Sequence, residues 1–167
     1  MPGEGEEHKR IRKRVEKEAQ SYLDSTGRGA SHRIRAAHQK GAGTIGLYTG
    51  RPSRATRMSE ADLVIADDSN EAVCIIEVKD QDVRPKNLFG IVGATSLCDT
   101  VRHNAFDDLR LGRAALYIVV NAENLGKPQS TKRKQIELIN KELAGGFGSV
   151  GRVVICSEDE FAERFRL

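Results

Sequence analysis

The sequence predicts an α/β fold, a mixed β-sheet core flanked by helices, from three observations. Residues 61–80, ADLVIADDSNEAVCIIEVKD, are two apolar, β-branched runs joined by a short polar turn, the pattern of a strand hairpin. Residues 114–120, AALYIVV, form a nearly continuous apolar run of the kind buried on both faces of a sheet. Around them, apolar residues recur at helical spacing in residues 6–24 and 131–143. A chain of 167 residues is one domain of ordinary size. Residues 6–167 are expected to form it, with residues 1–5, MPGEG, as a disordered tail.

The elements follow in order. Residues 6–24 read as a charged amphipathic helix, with Ile11, Val15, Ala19 and Tyr22 on one face, Leu23 at its edge and Gly27 as terminator. SHRIRAAH (31–38) and GTIGLYTG (43–50) each suit a short strand, their pairing open. The hairpin strands are residues 61–68 and 72–80. A helix is expected over 87–103 despite Gly90 and Gly93, which with Ala94 and Ser96 would allow close packing on a sheet. The strand 114–120 precedes the helix 131–143, which places Ile136, Ile139 and Leu143 on one side and ends at Gly145 and Gly146. Its basic first turn, Lys132, Arg133 and Lys134, opposes the helix dipole and reads as a solvated face more readily than as a phosphate contact. A last strand covers 150–156, and Ser157 with Glu160 makes a capping-box pattern before a short terminal helix.

Composition narrows the classes. The longest uncharged segment, Asn87 to Cys98, has 12 residues, too few to span a bilayer. The N-terminus is charged from Glu4 onward and lacks the apolar stretch of a signal peptide. Cys74, Cys98 and Cys156 are too few and too scattered for a disulfide framework or a zinc site, and they fall in apolar segments, so buried thiols and an intracellular, cytoplasmic location are expected.

Net charge is only +3, but it is unevenly spread. The 35 positions between Asp24 and Glu60 contain no acidic residue, in a chain with 24 of them. They hold Arg28, Arg33, Arg35, Lys40, Arg51, Arg54 and Arg57, with His32, His38 and six glycines. Arginine grips phosphate in a bidentate way and glycine lets a backbone approach closely, so this segment suits a nucleic acid. A solvated loop with incidental charge is the other reading.

The hairpin carries the chemistry. Glu77 and Lys79 point to one face of their strand. If Ser69 and Asn70 form a two-residue turn, positions summing to 139 face each other, which sets Asp62 beside Glu77. An odd-length loop or a bulge would break this register. Two carboxylates that close favour a hard divalent cation such as Mg²⁺ between them, and such a site can activate water against a phosphodiester. Alternatively Glu77 and Lys79 merely end a strand, and Lys79 pairs with Glu60, whose number also sums with it to 139.

Asp62, fourteen intervening residues and then Glu77-Val78-Lys79 after an apolar strand resembles the signature of the PD-(D/E)XK nuclease superfamily. Ala61 stands where that signature often has proline. The resemblance implies a restriction-endonuclease-like fold. It implies that Asp62 and Glu77 bind Mg²⁺ (or Mn²⁺ in its place), that the Val78 carbonyl is a further ligand and that Lys79 assists the attacking water. In the Holliday-junction resolvases a glutamate of the first helix joins the metal site, and Glu18 resembles it by position; an ion pair with Arg14 is the plainer role. The expectation is a Mg²⁺-dependent DNA endonuclease, with a Holliday-junction resolvase or a catalytically silent DNA-binding module as alternatives, RNA as another substrate and a homodimer as one assembly.

Overall fold

The structure, a computed structural model, describes residues 5–167; residues 1–4 of the expected tail lie outside the described residues. Gly5, also assigned to that tail, is instead the N-cap of the first helix, its carbonyl accepting from Lys9 N at 3.0 Å. That helix, α1 (Glu6–Ser25), buries Ile11, Val15, Ala19 and Leu23 completely, and Glu6 and Glu7 in its first turn complement the positive end of its dipole.

A mixed five-stranded sheet is the core. Its strands are β1 (His32–Ala36), β4 (Leu63–Asp67), β5 (Ala72–Lys79), β8 (Ala114–Val120) and β9 (Val150–Ser157), hydrogen-bonded in the order β1-β4-β5-β8-β9. The first two junctions are antiparallel and the last two parallel. Side chains alternate along β8 as the pleat requires: Leu116, Ile118 and Val120 enter one apolar layer, Tyr117 and Val119 the other. The second layer holds the buried face of α1 and also Phe161 of the terminal helix α5 (Phe161–Arg164). The first layer is roofed by α2 (Pro85–Ser96), α4 (Thr131–Glu142) and a second, antiparallel sheet.

That second sheet was not foreseen. It runs β3-β2-β6-β7, from β2 (Ile45–Tyr48), β3 (Arg57–Ala61), β6 (Thr100–Arg102) and β7 (Leu109–Arg110). Its existence shortens the helix expected over 87–103. The helix stops at Ser96, and Thr100–Arg102 pairs with β2 instead, with Val101 opposite Leu47. Two β-branched residues beside an open strand edge outweigh the continuing helical pattern. A short helix, α3 (Ala122–Leu125), and a 3-10 turn at Gln39–Gly41 complete the elements.

Other expectations hold in detail. Ser157 N donates to Glu160 Oε2 at 3.0 Å and Glu160 N to Ser157 Oγ at 3.3 Å, a reciprocal capping box. All three cysteines are buried thiols. The basic first turn of α4 is not a merely solvated face, since Lys132 pairs with Asp82 and Arg133 with Glu160. Among the described residues no helix is long and apolar enough to cross a membrane.

The β4–β5 hairpin reaches the expected register by another route. Leu63 faces Ile76, Val64 faces Ile75 and Ile65 faces Cys74, all pairs summing to 139. The turn, however, is a three-residue loop, residues 68–70, closed by Asp67 N to Glu71 O at 3.0 Å. Asp67 Oδ1 accepts from Ser69 N at 2.9 Å and Glu71 N at 3.0 Å, and Asn70 adopts φ +57°. This odd loop shifts the pairing by one, so Ala66 faces Ala72; a bulge at Val73 then shifts it back.

Asn70 holds a left-handed conformation that disfavours branched side chains. Asn70→Val is expected to lower the unfolding free energy by about 1–2 kcal/mol, whereas Asn70→Gly should leave it within about 1 kcal/mol of wild type. Urea denaturation of both variants checks this, and equal destabilisation by the two would show that the backbone angle is not the constraint.

Candidate active site

Asp62 sits at the single residue between β3 and β4, where the chain passes from the second sheet to the first. Its main chain is held on both sides: Asp62 N donates to Ile76 O at 3.0 Å, and Asp62 O accepts from Ala37 N at 2.8 Å. Past this point β3 pairs with β2, and Val78 N meets the Asp62 side chain, Oδ2 accepting at 2.7 Å. The carboxylate thus takes the place of a ladder partner at the end of β5 and is fixed by the sheet itself.

Glu77 and Lys79 alternate with the buried Val78, so both face away from α1, toward the layer shared with the second sheet. Lys79 Nζ donates to Glu77 Oε1 at 2.6 Å. Lys79 therefore does not pair with Glu60, whose partner is Arg57 at 2.6 Å. Burial, then the charge of Asp62, push the Glu77 carboxyl up to about 7, against the pull of Lys79 and His8 in the other direction. Burial draws Lys79 down, but Glu77, Asp62 and Asp80 outweigh it and hold its pKa above the usual lysine value. Lys79 is accordingly cationic at neutral pH, which suits it to orient water or stabilise negative charge and not to accept a proton.

The first helix contributes a residue that the sequence reading missed. His8 Nε2 hydrogen-bonds Asp62 Oδ1 at 2.8 Å, and its Nδ1 lies 3.7 Å from Asp80 Oδ1. The first turn of α1 is tied down beside it. Asn121 Nδ2 donates to Glu7 Oε1 at 2.9 Å, Asn121 N donates to Lys79 O at 2.9 Å, and Arg10 bridges Glu7 to the buried Glu158. Glu18 is not brought to Asp62. It lies ten residues along α1 from His8, about 15 Å of helix. There its Oε1 accepts from Arg14 Nε at 3.1 Å, while Oε2 is buried with no hydrogen-bond partner among the described residues. The ion pair with Arg14 is the role the structure assigns. A signal for His8 was present: at 100° per residue it falls at the centre of the stripe of Ile11, Val15, Ala19 and Leu23, with Glu18 about 80° away.

The cations of the acid-free segment are held in different ways. Arg33 and Arg35 lie on β1 and alternate with Ile34, which packs toward α1, so they share the sheet face of Glu77 and Lys79. Arg35 donates to Asp107 O at 2.7 Å and stacks over Phe106 at 4.9 Å, with Lys40 at 5.6 Å from the same ring. Arg28 is held at the far end of α1 by the Tyr22 hydroxyl, at 2.9 Å. Arg57 is engaged by Thr44 and Glu60. Arg51 and Arg54 stand exposed in the loop between β2 and β3.

Among the described residues no group of three or more His, Cys, Asp or Glu side chains is preassembled as a metal site. The donors at Asp62 and Glu77 nonetheless fit a hard divalent cation in kind. They are carboxylates, and the charge of one opposes ionisation of the other in a desolvated setting, a repulsion that such a cation removes. Compared with known proteins, the chain matches no family model and no protein of curated function.

The raised Glu77 pKa makes stability depend on pH. Between the ordinary glutamate value of 4.5 and about 7, the folded chain keeps a proton that the unfolded chain has lost, so stability falls as pH rises through this window. Without divalent metal, Glu77→Gln is expected to exceed wild type by up to about 3 kcal/mol above that window, and to lose the advantage toward its acid end. Urea denaturation across the range checks this; a difference independent of pH would contradict it.

Proposed function

We propose that this chain is a Mg²⁺-dependent endonuclease that hydrolyses phosphodiester bonds in DNA. The observation that carries the reading is the arrangement of Asp62, Glu77 and Lys79. One carboxylate is fixed on a strand end by Val78 N–H, a second is largely desolvated where the first resists its ionisation, and an ammonium group lies 2.6 Å from the second. Asp62 and Glu77 would hold the cation, with the Val78 carbonyl as a further donor on the same strand. The cation, when bound, supplies Lewis-acid polarisation of a phosphoryl oxygen and neutralises its charge. Lys79 orients the attacking water and stabilises charge on the phosphoryl group. His8 positions Asp62 through its bond to Oδ1. Arg33 and Arg35, on the same sheet face, support the DNA backbone beside the site. The resemblance to PD-(D/E)XK nucleases agrees with these roles, with His8 standing at the first-helix position in place of Glu18.

One observation favours a second reading, a catalytically silent DNA-binding module. Both Asp62 oxygens are already engaged, Oδ1 by His8 and Oδ2 by Val78 N. Mg²⁺ binding would have to share or displace the histidine.

The deciding assay incubates the protein with linear duplex, single-stranded and four-way-junction DNA and with RNA, with Mg²⁺ or with EDTA. Cleavage of DNA is expected with Mg²⁺ alone. Asp62→Ala and Lys79→Ala should each lose about 10²-fold or more, His8→Gln about 10–100-fold, and Glu18→Gln less than either. DNA binding without cleavage under every condition would favour the silent module. Full activity in both Asp62→Ala and Lys79→Ala would remove the site assignment.

A further inference from the structure

The loop joining β2 to β3, residues 49–56, carries two guanidinium groups that the fold does not use. Its sequence, TGRPSRAT, lies wholly inside the acid-free stretch. Arg51 and Arg54 are exposed, and neither side chain has a hydrogen bond or ion pair among the described residues. This separates them from Arg28, Arg35 and Arg57, whose guanidinium groups are engaged by Tyr22, Asp107 and Glu60.

The loop is also shaped in advance. Thr56 Oγ1 donates to Arg51 O at 2.8 Å and accepts from Ser53 N at 2.9 Å, while Thr49 N donates to Thr56 O at 3.0 Å. Its base is fastened to the segment after α2: Thr49 Oγ1 donates to Leu97 O and Gly50 N to Asp99 Oδ1, both at 2.8 Å. Gly50 takes φ +72°, which a side chain there would disfavour. Two cations are therefore presented on a braced backbone, and little backbone entropy remains to be lost on binding.

Position gives the partner. β3 runs from this loop to Asp62, and its five residues span about 17 Å. Along a double helix that is about five base pairs, at about 3.4 Å each. A rigid arm at a fixed distance matches a polyanion of fixed shape, and duplex DNA is stiff over about 150 base pairs. We propose that loop 49–56 is a contact arm for double-helical DNA, in which Arg51 and Arg54 grip phosphates bordering one groove about five base pairs or more from the bond held at Asp62 and Glu77. The cut site in this statement rests on the nuclease reading, whereas the duplex contact does not.

The test measures binding without cleavage. Fluorescence anisotropy in EDTA compares wild type with the Arg51→Ala, Arg54→Ala double variant, on a duplex of about two helical turns and on one of its single strands, over a salt series. The variant should bind duplex about tenfold or more weakly near physiological salt, with a log–log salt slope smaller by about two, and bind the single strand as wild type does. Equal loss on both nucleic acids, or no loss on either, would overturn the arm, provided the melting curves of the two proteins coincide. Wild-type hydrolysis of bis(p-nitrophenyl) phosphate with Mg²⁺ tests the nuclease reading separately. If that activity is absent while the variant still loses duplex affinity, the arm stands and the nuclease reading falls. If it is present while duplex affinity is unmoved, the reverse holds.

Discussion

Asp62 is the residue on which the two sheets agree. Its amide and carbonyl are bonded to Ile76 and Ala37, and its carboxylate is bonded to Val78 N–H and His8. The amide of a strand end left unpaired by a departing neighbour would be costly to bury, and the Asp62 side chain satisfies it. The chain can therefore leave one sheet for the other without stranding a donor. The same bond aims a carboxylate at the face where Glu77 and Lys79 stand. Architecture and candidate chemistry share a single side chain, so replacing Asp62 disturbs both, which is why its variant is paired with Lys79→Ala above.

Around that anchor the site is held under electrostatic tension. Asp62 and Glu77 are close enough for one to oppose ionisation of the other, and burial adds to the opposition. Lys79 relieves part of it, and the price is a lysine fixed in its charged form. A fold indifferent to chemistry would have little reason to desolvate a glutamate here, since an apolar residue on β5 would pack as well at less cost. The network of Asn121, Glu7, Arg10 and Glu158 adds a second restraint, keeping the first turn of α1, and with it His8, against the strand ends.

Much of this was legible in the sequence because it depends on local period. The stripe of α1, the double-faced burial of β8, the capping box at Ser157 and the shared face of Glu77 and Lys79 all follow from spacing alone. What was not legible depends on partners distant in sequence. β3, RMSEA, has no apolar alternation and is a strand only because β2 lies beside it. Thr100–Arg102 was drawn out of an expected helix by the same β2. His8 meets Asp62 across 54 positions, and a histidine near a charged helix start gave no reason to look there, although its place on the apolar stripe did. Glu18 fits the resemblance by its distance from Gly27, but it is the other end of α1 that meets Asp62, through His8.

The hairpin register shows a subtler case. A two-residue turn with no bulge and a three-residue loop with one bulge place Leu63 opposite Ile76 alike, so the expected pairing of β4 with β5 is reached through a different turn. This has a consequence for how the segment can vary in length. Residues 68–70 and Val73 take part in none of the pairs between β4 and β5, so loss of one loop residue, or of Val73, leaves Leu63 opposite Ile76 and Val78 beneath α1. Loss of one residue between Cys74 and Ile76 instead turns the rest of β5 over, sending Glu77 and Lys79 into the apolar layer beneath α1. The segment can therefore shorten at its two irregularities and nowhere between them and Glu77.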